Sequence, residues 1–339
     1  MAHLILKDGT KITGKSFGWE AGAAGEVVFN TGMVGYPESL TDTSYYGQIL
    51  VLTYPLIGNY GVPEKKYWES GRIQASGLIV NQYIDTPSHW QSRQSLSKWL
   101  KQEKVAALEI SDTRLLTQSI RETGTMLGKI EFDKPIDWYN PDEENLVAKV
   151  STKKAYTVGQ GKKTVALIDC GVKQNIIRSL VKRGVKVAVL PWDTDLQLKY
   201  DGILISNGPG DPKKVVKTIA NVKQVLMQDK PILGICLGNQ ILALAAGGET
   251  YKLKFGHRGQ NQPCSLAGTE KCFLTTQNHG FAVGKMPAGF KPWFININDQ
   301  TNEGMIHQSQ PWLSVQFHPE ASPGPTDTDW IFDKFVNFL

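Results

Sequence analysis

The segment Gly234-Ile235-Cys236-Leu237-Gly238 joins a short apolar run, Ile232 to Ile235, to a longer one, Ile241 to Ala246. A strand, a glycine-flanked turn and a helix in that order make the setting of a nucleophile elbow, here with cysteine in the reacting position. The glycines permit a tight turn that pushes one side chain out above the sheet. A thiol held there faces the positive end of the helix dipole, which favours the thiolate. Free cysteines are more often packing residues. Strand, glycines and helix together separate Cys236 from Cys170, Cys264 and Cys272, which lack that setting and read as packing residues.

A thiol nucleophile needs a base, and Gln316-Phe317-His318-Pro319-Glu320 offers one. Leu313, Val315 and Phe317 alternate with Ser314 and Gln316, the pattern of a strand with one face toward a core. At that period His318 and Glu320 point the same way, and Pro319 keeps His318 extended. A carboxylate two residues on is placed to orient the imidazole, which completes nucleophile, base and orienter. An oxyanion formed at Cys236 would meet the amide of Leu237. A second amide is available in the loop Asn207-Gly208-Pro209-Gly210-Asp211. Spacing alone leaves both an amidase and a cysteine protease open.

Other chemistries find less support. Gly124 to Lys129 is one residue short of a Walker A spacing and is followed by Ile130. Gly159-Gln160-Gly161-Lys162 precedes a strand instead of following one, so no nucleotide site is read on this chain. Four cysteines without a C-x-x-C pair make neither a disulfide scaffold nor a zinc knuckle, and no metal is expected. The formal charge of +5 comes from lysines and arginines spread singly along predicted helices, Lys173 among them, which reads as solvated surface and not as a nucleic-acid site. No basic leader with an apolar core and no long apolar span is visible, so a soluble, cytoplasmic protein is expected.

The elements that must position these residues fall in two parts. Length predicts two domains, and a composition of 41% hydrophobic and 20% charged residues predicts globular ones. Over the first 130 residues short strands are broken by frequent turns: Leu4 to Leu6, Lys11 to Phe17, Glu26 to Thr31 and Gln48 to Thr53. Helical spacing follows at Leu96 and Leu100, then at Leu115, Leu116 and Ile120, with Asp112 as N-cap and Gly124 as stop. Residues 133–163, rich in proline, charge and glycine, read as a linker, with domains at 1–150 and 151–339. Beyond it strands and helices alternate: Val165 to Ile168, a helix through Ile176 and Leu180, Val187 to Leu190, Ile203 to Ile205. A further helix, capped by Asp211 and carrying Val215, Ile219, Val222 and Leu226, leads into Ile232 to Ile235. The fold class is α/β: a β-rich mixed N-terminal domain, then a mostly parallel sheet flanked by helices.

With Gly208-Pro209-Gly210-Asp211, the cysteine elbow and His318-Pro319-Glu320 side by side, the second half resembles class I glutamine amidotransferases. The first half narrows this. Gly25 to Tyr36, Leu40 to Tyr45 and Tyr54 to Gly61 resemble the N-terminal domain of the carbamoyl-phosphate synthase small-subunit family. Phe255-Gly256-His257-Arg258-Gly259, Gln277 to Phe281 and Ala321 to Pro325 fit as well.

The resemblance implies that Cys236 attacks the side-chain amide of glutamine to give a thioester, that His318 moves protons and that Glu320 holds it. It places Ser44, Gly208, Gly210, Leu237, Gln240, Asn278, Gly280 and Phe281 around glutamine. Ser44 would bring that pocket near the interface of the two domains. It further implies no cofactor on this chain. A large subunit, in a heterodimer or higher oligomer, would carry ATP with Mg2+ or K+ and turn bicarbonate, two ATP and the released ammonia into carbamoyl phosphate. The product would serve arginine or pyrimidine synthesis. Asn239, Gln260, Gln262 and Cys170 depart from the family pattern, and none is a member of the triad.

Overall fold

The computed structural model describes residues 2–196 and 199–339, which divide into two compact units between Glu144 and Asn145. Seven strands close a barrel in the first unit: β1 (Ala2–Leu6), β2 (Lys11–Ser16), β3 (Ala23–Asn30), β4 (Gln48–Leu52), β5 (Gly77–Val80), β6 (Ala106–Glu109) and β7 (Met126–Glu131). Their order around the barrel is β1-β2-β6-β5-β4-β3-β7, and β7 pairs back onto β1. Strands β3, β4, β5 and β6 run parallel, whereas β1, β2 and β7 join antiparallel. Closure leaves no strand edge exposed.

Helices α1 (Tyr36–Thr41), α2 (Leu96–Gln102) and α3 (Thr113–Thr123) accompany this barrel. Val28, Leu50, Leu78 and Val80 cluster with Leu96, Trp99 and Leu100 of α2, so alternate barrel residues bury beneath a helix. Asp112 caps α3 by accepting from the Leu115 amide at 2.8 Å, and Gly124 ends it at φ 98°. Leu116 and Ile120 are buried, but Leu115 is 63% exposed. A residue one step along a helix turns by about 100°, and that carries Leu115 off the stripe.

The second unit is a ten-stranded sheet. Its strands are β8 (Tyr156–Val158), β9 (Thr164–Asp169), β10 (Lys186–Pro191), β11 (Gly202–Ile205) and β12 (Ile232–Ile235), then β13 (Glu249–Leu266), β14 (Cys272–Lys285), β15 (Phe290–Asn296), β16 (Asn302–His307) and β17 (Trp312–Val315). The order is β8-β10-β9-β11-β12-β17-β16-β14-β13-β15, with β10, β9, β11, β12 and β17 parallel. Helices α4 (Gln174–Lys182), α5 (Val216–Val225), α6 (Leu237–Ala245) and α7 (Trp330–Val336) cover it.

Alternate strand residues go to opposite faces. Ile203, Ile205 and Ile232 pack with Val222 of α5 and Ile241 of α6, and Leu204, Leu233 and Leu313 with Ile176 of α4 and Phe332 of α7. This two-sided burial explains why the central strands read as unbroken apolar runs.

Three local expectations change. Within the stretch expected to be a linker, Tyr156–Val158 pairs antiparallel with β10 as an edge strand. Asp211 caps a short 3-10 turn, Pro212–Lys214, and not α5 itself, because Val215 at φ −93°, ψ 48° breaks the two apart. Lys173 is 2% exposed and not solvated at all. No helix among the described residues is long and apolar enough to cross a membrane.

Candidate active site

Strand β12 delivers the chain to Cys236, which sits at φ 55°, ψ −104° immediately before α6. Few non-glycine residues adopt that conformation, and it is the sharp bend expected of an elbow. Its neighbours permit it. A Cβ added at Gly238 would lie 2.0 Å from the Ile205 carbonyl oxygen, so only glycine lets α6 pack this close to β11. At Gly208 the same atom would lie 2.1 Å from the Cys170 oxygen. The loop carrying Gly208 is therefore pressed against the end of β9.

Cys236 is 2% exposed, and two hydrogen bonds meet at its sulfur. Its S–H donates to the Asn278 carbonyl at 3.7 Å, and Gln316 Nε2 donates to it at 3.7 Å. Gln316 is itself fixed, because its Oε1 accepts from Asn239 Nδ2 at 3.0 Å and Gln240 Nε2 at 3.1 Å. Ser314 Oγ donates to Asn239 Oδ1 at 2.8 Å. Both faces of the 313–317 segment are thus buried, and the face opposite Leu313 and Val315 is polar. Asn239, one of the departures from the family pattern, is a working member of this chain of amides.

The strand itself ends at Val315, and His318 reaches the sheet through a single bridge to Thr276. His318 Nδ1 lies 2.6 Å from Glu320 Oε1, with both side chains fully buried. Glu320 Oε1 also lies 3.0 Å from Lys173 Nζ, which donates to the Ala321 carbonyl at 2.6 Å. Asn175 Nδ2 donates to the Glu320 carbonyl at 2.5 Å.

Burial alone would depress the imidazole and raise the carboxyl. The paired charges win: Glu320 lifts His318 to about 10 with a contribution from Cys236, and Lys173 and His318 hold Glu320 down at about 2. His318 is therefore an imidazolium and Glu320 a carboxylate at neutral pH. The other ring nitrogen, Nε2, is buried and makes no hydrogen bond.

The other sequence-derived residues fall as follows. Leu237 is the first residue of α6, where amides have no intrahelical acceptor. Gly208 and Gly210 lie in the loop after β11, and Gly210 has φ 83°. Asn278, Gly280 and Phe281 lie on β14, where Asn278 meets the sulfur through its carbonyl. Gln240 Nε2 donates to the Phe281 carbonyl at 2.7 Å as well as to Gln316, so it ties α6 to β14. Ser44 belongs to the first unit, buried in the 3-10 turn Thr43–Tyr45, with its amide donating to Asp42 Oδ1 at 2.9 Å. Of the cysteines taken as packing residues, Cys170 and Cys264 are buried and Cys272 is exposed at the start of β14. Sequence reasoning missed Lys173, Ser314 and Gln316. The polar members of an alternating strand beside the elbow were the available signal for the last two.

Comparison with known proteins bears on this geometry. Residues 166–338 match the model of class I glutamine amidotransferases, and residues 4–130 match the synthase domain of the carbamoyl-phosphate synthase small chain. The arginine-specific small chain of carbamoyl phosphate synthase from Saccharomyces cerevisiae is 49% identical over 99% of this chain and 88% of its own length. The chain belongs to the carbamoyl-phosphate synthase small-chain family. It carries that family's amidotransferase domain in its second unit and the small-chain domain in its first.

Larger relatives align too. The mitochondrial carbamoyl-phosphate synthase [ammonia] of Mus musculus is 50% identical over 100% of this chain, and the multifunctional protein CAD of Squalus acanthias 50% over 99%. The chain spans 24% and 16% of their lengths.

Proposed function

We propose that the chain hydrolyses glutamine to glutamate and ammonia through Cys236, His318 and Glu320. The Cys236 thiolate adds to the side-chain amide carbon. The resulting oxyanion is met by the amides of Leu237 and Gly208. His318, as imidazolium, gives its proton to the departing nitrogen, which leaves as ammonia and creates a γ-glutamyl thioester. Water then enters, His318 takes its proton, and the thioester opens to glutamate and the regenerated thiolate. Glu320 keeps the ring oriented and its charged form favoured, and Lys173 keeps Glu320 ionised.

The observation that carries this reading is the buried ion triad of His318, Glu320 and Lys173 beside a cysteine held at positive φ. Gly210, Gln240, Asn278, Gly280 and Phe281 are assigned to glutamine by family resemblance, as is Ser44.

A protein of this family that makes only ammonia needs a consumer. A large partner chain that binds ATP with Mg2+ or K+ would take the ammonia and make carbamoyl phosphate from bicarbonate and two ATP, for arginine or pyrimidine synthesis in the cytoplasm. A second reading, in which the chain serves only as a scaffold, draws on relatives whose name specifies ammonia. The intact Cys236 and His318 favour the first.

The test measures glutamate release by the chain alone and then with the large chain, bicarbonate and ATP. The expected result is a low rate alone and a marked rise with the partner. No glutamate in either state would leave the scaffold reading. A rate already high alone and unchanged by the partner would sever the coupling.

A further inference from the structure

The first unit has a cavity of about 480 Å³ where its four parallel strands end. Thr31, Thr53 and Asn81 directly follow the last residues of β3, β4 and β5, and Asp112 stands in the loop after β6. Crevices at the carboxyl ends of parallel strands are common ligand sites. Every residue lining this one belongs to the first unit, and none is a member of the centre around Cys236.

The other wall is one face of α3, which supplies Thr113, Arg114, Thr117, Gln118 and Arg121 at intervals of three and four residues. Thr113 is 2% exposed, yet its hydroxyl bonds to no described residue. Thr117 shows the difference, since its hydroxyl donates to the Thr113 carbonyl at 2.8 Å. A buried hydroxyl without a partner is unfavourable, so the partner of Thr113 must come from the cavity. Arg114 and Gln118 likewise make no side-chain hydrogen bond or ion pair among the described residues.

The strand ends and the helix cap bring acceptors. Asn81 Nδ2 donates to the Ser111 carbonyl at 2.9 Å. A carbonyl only accepts, so the amide cannot be turned round, and Oδ1 is the atom left over. Asp112 gives Oδ1 to the Leu115 amide at 2.8 Å and keeps Oδ2. The lining thus carries two guanidinium charges, Arg114 and Arg121, and one carboxylate. The two arginines stand two turns apart, roughly 10 Å along the helix axis.

We propose that this cavity binds a dicarboxylic α-amino acid, L-aspartate or L-glutamate. Its two carboxylates and one ammonium mirror the charges of the lining. The α-carboxylate takes the Arg114 fork, with the Thr113 hydroxyl beside it. The ammonium donates to Asp112 Oδ2 and Asn81 Oδ1. The second carboxylate meets Arg121 and Gln118, and the long arginine side chains close the distance that two or three carbons leave. A simple anion would leave Asp112 unmatched, and a neutral ligand would leave both guanidinium groups so.

Calorimetric titration of the full chain with L-aspartate, L-glutamate, L-asparagine and succinate tests this. The expected result is one dicarboxylic amino acid per chain, the tighter of the two naming the ligand. Asparagine lacks the second carboxylate and succinate lacks the ammonium, so each should bind about tenfold or more weakly, the loss of one charge-assisted bond. Asp112→Asn keeps a residue type that caps helices but removes the charge facing the ammonium. It should weaken the amino acids and tighten succinate. Arg114→Gln should weaken all four, with circular dichroism showing that both variants fold. Native chain that takes up neither amino acid would overturn the proposal. So would binding that both variants leave unchanged, which puts the ligand elsewhere, or succinate that is indifferent to Asp112→Asn. Failure of glutamine hydrolysis with the amino acid still bound would count against the catalytic reading alone.

Discussion

The second unit holds two buried histidine–carboxylate clusters, His318 with Glu320 and His257 with Glu303, and their carboxyls are shifted in opposite directions. At His318, burial opposes ionisation, yet the ring rises to about 10 and Glu320 falls to about 2. At Glu303, burial prevails over His257, so the carboxyl is raised; Glu303 and Asp299 raise His257 against its burial, and burial drives His279 down. The difference is one cation. Lys173, buried 3.0 Å from Glu320, allows the first pair to remain charged. The amides tell the same story. Gln316 turns its N–H toward the sulfur of Cys236, whereas Gln277 turns its oxygen toward His279 Nε2. A buried ionisable pair is thus defined less by its two members than by the third group that completes it.

The largest expected effect separates the clusters outright. Cys236→Ser should lower glutamine hydrolysis by roughly a thousandfold or more, while synthesis from added ammonia by the complex continues. Glutamate release that survives the substitution would move the nucleophile elsewhere.

Next, His318→Asn should be more damaging than Glu320→Gln by on the order of tenfold to a hundredfold in kcat/KM, since the first removes the proton carrier and the second its support. The pH profile sharpens this. An imidazolium with its pKa raised to about 10 keeps the rate up until pH passes that value. Glu320→Gln removes the main raising influence, so the alkaline limb should move to lower pH. Identical limbs in the two enzymes would mean that His318 is not the group that titrates.

Much of the first centre was legible because its signals are local. Gly234-Ile235-Cys236-Leu237-Gly238 and His318-Pro319-Glu320 are short segments whose chemistry follows from spacing, and α3 announced its own cap and stop. Lys173 was not legible: one lysine just before a helix reads as solvated, and only the fold brings it to Glu320. Ser314 and Gln316 looked like the wet face of a strand, because a sequence does not say that both faces are covered. Residues 257, 279 and 303 come from three strands, and no short motif joins them.

Lys173 gives the third prediction. Lys173→Met should cost about 3–5 kcal/mol of stability at neutral pH, the usual penalty for leaving a buried charge without its partner. The pH dependence has a definite sign. Glu320 is depressed in the folded chain, so its contribution is present above the ordinary carboxyl range and fades as pH falls toward about 2. The gap between native and variant in urea unfolding should therefore narrow on acidification. A gap that is constant from pH 7 to pH 3 would show that packing, and not charge, was lost.

The smallest effect tests the amide chain behind the sulfur. Asn239 Nδ2 and Gln240 Nε2 both donate to Gln316 Oε1, so Gln316 has only its N–H group left to offer Cys236. The 3.7 Å contact is long, and sulfur is a weak acceptor as a thiol but a better one as a thiolate. Gln316→Leu should thus lower kcat about tenfold, the value of one modest charge-assisted bond, with little change in KM. Gln316→Glu should be worse than leucine despite its closer shape and the two donors it can still accept from, because it sets a carboxylate against the thiolate. Inactivation by a neutral alkylating agent at fixed pH gives an independent reading: its rate should fall in both variants, more in the glutamate. If leucine and glutamate behave alike, Gln316 acts by filling space, and the contrast with Gln277 loses its electrostatic meaning.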